Sequence, residues 1–212
     1  MAGWGALVLA GGAGSRLGMV NKAFLNFAGE PLLVKVVNQA LKVADRVVVS
    51  ISKQAQPERY LEVLPGKVEL VKDEREGLGP LEGLRQGMRK LDSQGVSFSL
   101  ALACDLPFLN PQVLRFLLEE AERLKAEALI PQWPNGFKET LHSVYQPHVF
   151  WRAAEEALTA GERLILDAVK RLNRIFFLPV EKLKPLDPEL STFTNINTFK
   201  DLEEALRKLR EA

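Results

Sequence analysis

The fold is decided by residues 6–18, which read ALVLAGGAGSRLG and are followed shortly by Lys22. The apolar residues from Ala6 to Ala10 predict a short buried strand, and the glycines after it let backbone N–H groups turn toward an anion without interference from Cβ atoms. Arg16 can grip phosphate oxygens with its forked guanidinium, whereas Lys22 supplies a point charge. The stretch therefore predicts a strand that leads into a polyphosphate-binding loop.

Two better-known glycine loops do not match this stretch. A Walker loop needs G-x-x-x-x-G-K-[ST], but Met19 follows Gly18, and Ala23 follows Lys22. A dinucleotide fingerprint needs G-x-G-x-x-G, but Leu17 stands where the last glycine belongs. A glycine-rich turn without any ligand would explain the glycines but not the two cations beside them. We therefore expect neither a P-loop nor a nicotinamide cofactor.

The composition is that of an ordinary globular protein. The 212 residues are 47% hydrophobic and 26% charged, which is enough for a sizeable core, and we expect one domain over residues 1–212. A net charge of +1 gives no electrostatic footprint for nucleic acid or a membrane surface. The single cysteine, Cys104, excludes an internal disulfide and fits a buried strand end in a reducing cytoplasm. The N-terminal apolar run is too short to cross a bilayer.

Strands and helices alternate after the loop. The β-branched residues at 47–51 predict a strand covered on both faces, as in a parallel sheet. Further strands are expected at 68–71, 97–103 and 128–131. Four strand–helix alternations imply right-handed crossovers, and residues 139–145 predict a strand that returns antiparallel. We therefore expect a three-layer, Rossmann-like α/β fold with a mainly parallel but mixed sheet.

Acidic and amide side chains are expected at the edge of the sheet where the glycine loop opens. Asp105 directly follows a predicted strand, and a carboxylate there can hold Mg²⁺ together with substrate phosphates; the alternative role is a turn or helix cap. Asp73 also follows a strand and could accept a hydrogen bond from a base or ribose, or be only a solvated charge. Asn195 and Asn197 offer amides to a phosphate or a metal-bound water, or form only a turn.

Four motifs stand in order along the chain. They are LAGGAGSRLG at 9–18 with Lys22, GPLEGL at 79–84, CDLPFL at 104–109 and NINT at 195–198. In this order they resemble the motifs of the molybdenum cofactor guanylyltransferases, the MobA-like nucleotidyltransferases. The first motif is shared by many nucleotidyltransferases, including those that make nucleotide sugars, whereas the last is more particular to this branch. The resemblance covers nearly the whole chain.

The resemblance implies a reaction and a set of site residues. GMP would pass from GTP to the phosphate of molybdopterin with release of pyrophosphate, Mg²⁺ would be held by Asp105, and molybdenum cofactor enzymes or chaperones would be transient partners. The catalytic residues would be Arg16, Lys22 and Asp105. The nucleotide would be bound by Leu9, Ala10, Gly11, Gly12, Gly14, Ser15, Lys22, Ser50, Asp73 and Asp105. Asn195 and Asn197 would contact the acceptor or a metal-bound water.

Two residues depart from the pattern of the family. Members commonly have an aspartate before the loop lysine and an asparagine at the end of the second strand, where this chain has Asn21 and Ser50. The loss of a carboxylate at Asn21 would relax the hold on Lys22, and the short Ser50 leaves the choice of base open. A cytidylyl- or sugar-phosphate nucleotidyltransferase on the same fold thus stays an alternative, as does a non-catalytic nucleotide-binding module. The retention of Arg16, Lys22 and Asp105 argues against the module.

Overall fold

A seven-stranded sheet runs through the computed structural model, which describes residues 3–11 and 21–211. The strands in chain order are β1 (Trp4–Leu9), β2 (Asn26–Phe27), β3 (Glu30–Pro31), β4 (Arg46–Ile51), β5 (Glu69–Lys72), β6 (Phe98–Ala103), β7 (Ala128–Gln132), β8 (His142–Tyr145) and β9 (Ile175–Pro179). The helices are α1 (Leu32–Ala40), α2 (Pro57–Leu61), α3 (Pro80–Ser93), α4 (Pro111–Leu124), α5 (Pro147–Thr159), α6 (Ile165–Val169) and α7 (Phe199–Glu211).

The order of the strands confirms the predicted mixed sheet. It runs β5-β4-β1-β6-β8-β7-β9, and β2 and β3 form a separate hairpin. The first four strands are parallel, whereas β8 lies antiparallel between β6 and β7. This returning strand begins at His142 and not at Glu139, because the Glu139 N–H donates to Pro131 O at 2.9 Å and Lys138 bridges to Gln132.

Apolar layers cover both faces of the sheet, as the continuous apolar strands predicted. On β1, Ala6 and Val8 face the layer formed with α1 and α4, while Leu7 faces the layer formed with α3, α5 and α6. Helix α3 lies close to the sheet because residue 87 is glycine; a Cβ there would overlap the Leu7 side chain. The three-layer α/β fold is thereby confirmed. In the described part of the chain, every helix is too short or too polar to span a membrane.

Candidate active site

A cavity of about 720 Å³ opens at the carboxyl ends of the parallel strands β5, β4, β1 and β6. The predicted site residues that line it are Leu9, Ala10, Gly11, Lys22, Ser50, Asp73 and Asp105. Four other predicted residues, Gly12, Gly14, Ser15 and Arg16, lie outside the described residues. Of the predicted residues, one lysine, two carboxylates, a serine and a backbone segment thus surround a single space.

Lys22 is held between two oxygen-bearing side chains. Its Nζ lies 2.9 Å from Asp105 Oδ2 and 2.6 Å from Asn197 Oδ1. The Lys22 and Asp105 side chains are 19% and 15% exposed, so the ion pair is accessible from the cavity. Three of the four sequence motifs therefore meet at one ammonium group, which we call the Lys22 cluster (Lys22, Asp105 and Asn197).

The segment that carries Asn197 is fixed to the rest of the site by backbone hydrogen bonds. Ile196 is buried, and its N–H donates to Asp105 O at 3.0 Å. The Asp201 carboxylate accepts from the N–H groups of Asn197 and Thr198, both at 2.8 Å. These bonds, the one from Asn197 first, lower the pKa of Asp201. Asn195 is exposed and is not among the residues that line the cavity.

Asn21 joins the two ends of the glycine loop through Tyr60. Asn21 Oδ1 accepts from Ala23 N at 3.0 Å, and its Nδ2 donates to Tyr60 OH at 2.8 Å. The Tyr60 hydroxyl in turn donates to Ala10 O at 3.5 Å. These bonds engage both ends of the Asn21 amide but not the Lys22 side chain, so the expectation that Asn21 relaxes the hold on Lys22 stays a prediction. Nothing in the sequence pointed to Tyr60, which lies 39 residues away on the short helix α2.

Asp73 and Ser50 form the opposite side of the cavity. Ser50 is buried, and its Oγ donates to Asp73 Oδ1 at 3.4 Å. Burial, together with the nearby Glu82 carboxylate, raises the pKa of Asp73 to about 6. Asp73 is half-buried, so it is not the solvated charge that stood as the alternative. Ser50 thus contacts Asp73 directly, and its effect on the choice of base stays a prediction.

A buried ion pair lies beneath Asp73. Glu82 and Arg85, on α3, are 0% and 3% exposed, and Arg85 donates to both carboxylate oxygens of Glu82, at 2.9 and 3.0 Å. Burial acts to raise the pKa of Glu82, but the hydrogen bonds and charge of Arg85 outweigh it, so the pKa is lowered. Glu82 lies in the second sequence motif, but its burial with Arg85 could not be predicted, because two charges three residues apart on a helix are usually exposed.

Cys104 also lines the cavity, next to Asp105. Its burial raises the pKa of the thiol to about 12, so the thiol stays protonated at neutral pH. This agrees with the expected buried strand end. Within the described ranges, no three His, Cys, Asp or Glu side chains gather into a group that could hold a metal ion by themselves.

Comparison with known proteins places these residues in a family. Residues 6–174 match the model described as the MobA-like NTP transferase domain. The chain belongs to this family. A relative from Methanosarcina mazei, a probable molybdenum cofactor guanylyltransferase, is 35% identical over 97% of this chain and 91% of its own length. A molybdenum cofactor guanylyltransferase from Desulfosudis oleivorans is 29% identical over 94% of this chain and 92% of its own.

Solved structures agree with this assignment to the MobA-like family. Molybdopterin-guanine dinucleotide biosynthesis protein A from Archaeoglobus fulgidus superimposes with a TM-score of 0.83 at 30% identity, covering 98% of this chain and 100% of that one. A 4-diphosphocytidyl-2C-methyl-D-erythritol synthase from Anaerococcus prevotii has a TM-score of 0.68 at 14% identity, covering 99% and 96%. At that identity only the fold is shared, so the choice of nucleotide must come from the site residues.

Proposed function

We propose that this chain is a molybdenum cofactor guanylyltransferase that transfers GMP from GTP to the phosphate of molybdopterin. The observation that carries the proposal is the Lys22 cluster, in which the first, third and fourth motifs converge on one ammonium at the mouth of the cavity. The names of the relatives and of the Archaeoglobus fulgidus structure point to the same reaction.

The reaction depends more on neutralising and aligning the two anionic substrates than on a reactive side chain. An oxygen of the molybdopterin phosphate attacks the α-phosphorus of GTP, a new P–O bond forms, and the bond to the β-phosphate breaks to release pyrophosphate. Both reactants are anionic, so their repulsion is the main obstacle. Lys22 counters charge on the reacting phosphates, while Arg16 and the amides of the glycine loop hold the departing pyrophosphate. No covalent intermediate on the protein is needed.

The donor set of the Lys22 cluster fits Mg²⁺. Asp105 Oδ2 and Asn197 Oδ1 already surround a cationic group, and carboxylate and amide oxygens are ligands that this ion accepts. We propose that Asp105 holds the ion and that Asn197 contacts either a water of its shell or the acceptor, with Asn195 close by. When bound, Mg²⁺ would neutralise charge on the triphosphate.

The opposite side of the cavity favours guanine. Guanine presents N1–H and its 2-amino group as neighbouring donors, and the ionised Asp73 carboxylate supplies the matching acceptors. A buried carboxylate that pairs with a base rejects bases that lack those donors, since it would be left without partners. Ser50 Oγ donates to Asp73 Oδ1 from the protein side, which leaves one lone pair of Oδ1 and both lone pairs of Oδ2 for the two donors of the base.

The proposal is tested by pyrophosphate release with each of the four ribonucleoside triphosphates, with and without molybdopterin. We expect release only with GTP and molybdopterin together. Release with CTP in place of GTP, or tighter binding of CTP in calorimetry, would contradict the proposal in favour of cytidylyl transfer. GTP binding without release in the presence of molybdopterin and Mg²⁺ would instead identify a binding module.

A further inference from the structure

Glu82 and Arg85 form a buried ion pair on α3, next to the segment that follows β5. Burying an ion pair costs desolvation free energy, and apolar residues of similar volume often fill such a site equally well. The pair is therefore weak evidence for a stabilising role. The position of the pair indicates a role in the site. Glu82 immediately precedes Gly83, and Gly83 lies against the side chains of Ser50 and Asp73.

The Glu82 carboxylate binds the backbone immediately after Asp73. Its Oε1 accepts from the backbone N–H groups of Glu74 and Arg75, both at 3.2 Å. The N–H of Asp73 itself donates to Ile51 O at 3.0 Å. The exit from β5 is thus fixed by three consecutive amides, and two of them depend on the Glu82 carboxylate.

Guanidinium groups hold that carboxylate in place. Arg85 donates to both of its oxygens, and Arg75 Nε donates to Oε2 at 3.2 Å. Arg75 also donates to both carboxylate oxygens of Glu155 on α5, at 3.2 and 2.9 Å. These bonds connect the segment after β5 to a second helix. Within the described residues these charges are paired with one another, and Arg75, which also lines the cavity, is the member of the network that reaches its surface.

The side chain of Asp73 is aligned from the same helix. A Cβ at residue 83 would lie 2.9 Å from Ser50 Oγ and 3.5 Å from Asp73 Oδ1, so the glycine leaves the space that the Ser50–Asp73 hydrogen bond occupies. Helix α3 thus fixes the backbone of Asp73 through Glu82 and leaves room for its side chain at Gly83.

We propose that Glu82 and Arg85 are positioning residues that fix Asp73 for recognition of the base. The inference rests on the proposed function, because it assigns guanine to Asp73. To bind both N1–H and the 2-amino group of guanine, the Asp73 carboxylate must be aligned with two donors at once. A displaced carboxylate would bind only one of them and would no longer favour guanine over a base that has only one donor. The Lys22 cluster shares no residue with these contacts in the described part of the chain, so turnover of bound nucleotide should not depend on them.

The test uses the double variant Glu82→Leu/Arg85→Met, which removes both charges together and keeps apolar volume. Thermal unfolding is measured first, followed by kcat and KM for GTP and for ITP, whose base lacks the 2-amino group. We expect a folded protein with a lower melting temperature, since Arg85 also pairs with Glu74 and Glu155, together with a KM for GTP at least tenfold higher and a kcat within twofold. The preference for GTP over ITP should fall toward one.

The matched control is Glu69→Gln, whose carboxylate also joins β5 to α3 but bonds to Lys90 and Gln94 instead of Glu82 and Arg85. It should retain both the KM and the GTP preference. A stably folded double variant with unchanged KM and preference would overturn the inference. If the double variant does not fold, the test uses Glu82→Gln, which keeps one acceptor oxygen at residue 82. A preference of this variant for GTP over ITP that is lowered by less than about threefold would also overturn the inference. A parent protein that releases no pyrophosphate from GTP would instead overturn the proposed function.

Discussion

Two walls of one cavity hold their charges in different ways. The base wall is formed by Ser50 and Asp73, with the Glu82–Arg85 ion pair buried behind them, and the side chains of this pair are 1% and 3% exposed. In the phosphate wall, formed by the Lys22 cluster, the ion-paired side chains are 19% and 15% exposed. The first pair is satisfied by the protein alone and is rigid before any ligand arrives. The second is open to solvent and can exchange one partner for a phosphate oxygen.

The two kinds of ion pair differ in free energy, and from this difference we expect different roles for the two walls. A solvent-accessible ion pair contributes about 0–1 kcal/mol, so Lys22 can leave Asp105 for a substrate at little cost. Removing one partner of a buried pair costs about 3–5 kcal/mol, because the other charge remains uncompensated. We therefore expect the base wall to determine which nucleotide binds and the phosphate wall to determine how fast it reacts.

The largest effect is expected for Asp105→Asn in the phosphate wall. The substitution keeps the size and one oxygen but removes the charge that a hard divalent cation needs, so metal-dependent GMP transfer should be abolished. GTP binding and the melting temperature should change little. Single-turnover transfer and thermal unfolding, measured side by side, check this. A stable variant with near-normal transfer would show that Asp105 only caps its turn.

Lys22→Ala should reduce kcat by about 10²–10³-fold, the usual effect of losing one group that stabilises developing negative charge. Stability should change by less than about 1 kcal/mol, since the ion pair that is lost is solvent-accessible. Lys53→Ala is the matched control, because Lys53 is an exposed lysine that also lines the cavity. A kcat equally reduced in both variants would show only a general effect of positive charge.

The base wall should respond to pH. Because the pKa of Asp73 is raised to about 6, protonation below that pH removes the acceptor that we propose for guanine. The KM for GTP should therefore rise as the pH falls through about 6, and bound GTP, which favours the carboxylate, should lower the pKa of Asp73. Asp73→Asn should have a KM about 10-fold higher at neutral pH and should lose the inflection. An inflection that persists in this variant would assign it to another group.

The smallest effect is expected for Tyr60→Phe. The variant loses the hydroxyl that accepts from Asn21 and donates to Ala10 O, so the two ends of the glycine loop are no longer joined. One hydrogen bond contributes about 1 kcal/mol, which corresponds to a decrease of about fivefold in kcat/KM. Unchanged kinetics in Tyr60→Phe would show that the loop does not need this link.

The sequence predicted what depends on local pattern. Buried runs such as 47–51 predict strands because their periodicity and β-branching are local properties. The positions of Asp73 and Asp105 at one sheet edge follow from the parallel order of those strands. This is why the α/β fold and the lining of the cavity could be inferred before the structure was known.

What the sequence did not predict depends on contacts between distant segments. Tyr60 reaches Asn21 across 39 residues from a five-residue helix, which is too short to show a periodic stripe. Glu82 stands within an amphipathic helix, where its burial could not be read from spacing. In both cases the partner is chosen by tertiary packing, so only the folded chain reveals it.

The independence of the two walls is tested most directly by combining Asp73→Asn with Lys22→Ala. Residues without shared partners contribute additively to free energy, within about 0.3–0.5 kcal/mol. We therefore predict that kcat/KM for GTP in the double variant is lowered by the product of the two single losses, to within about twofold. A double variant no worse than Lys22→Ala alone would contradict the account, because it would mean that the two walls act as one unit.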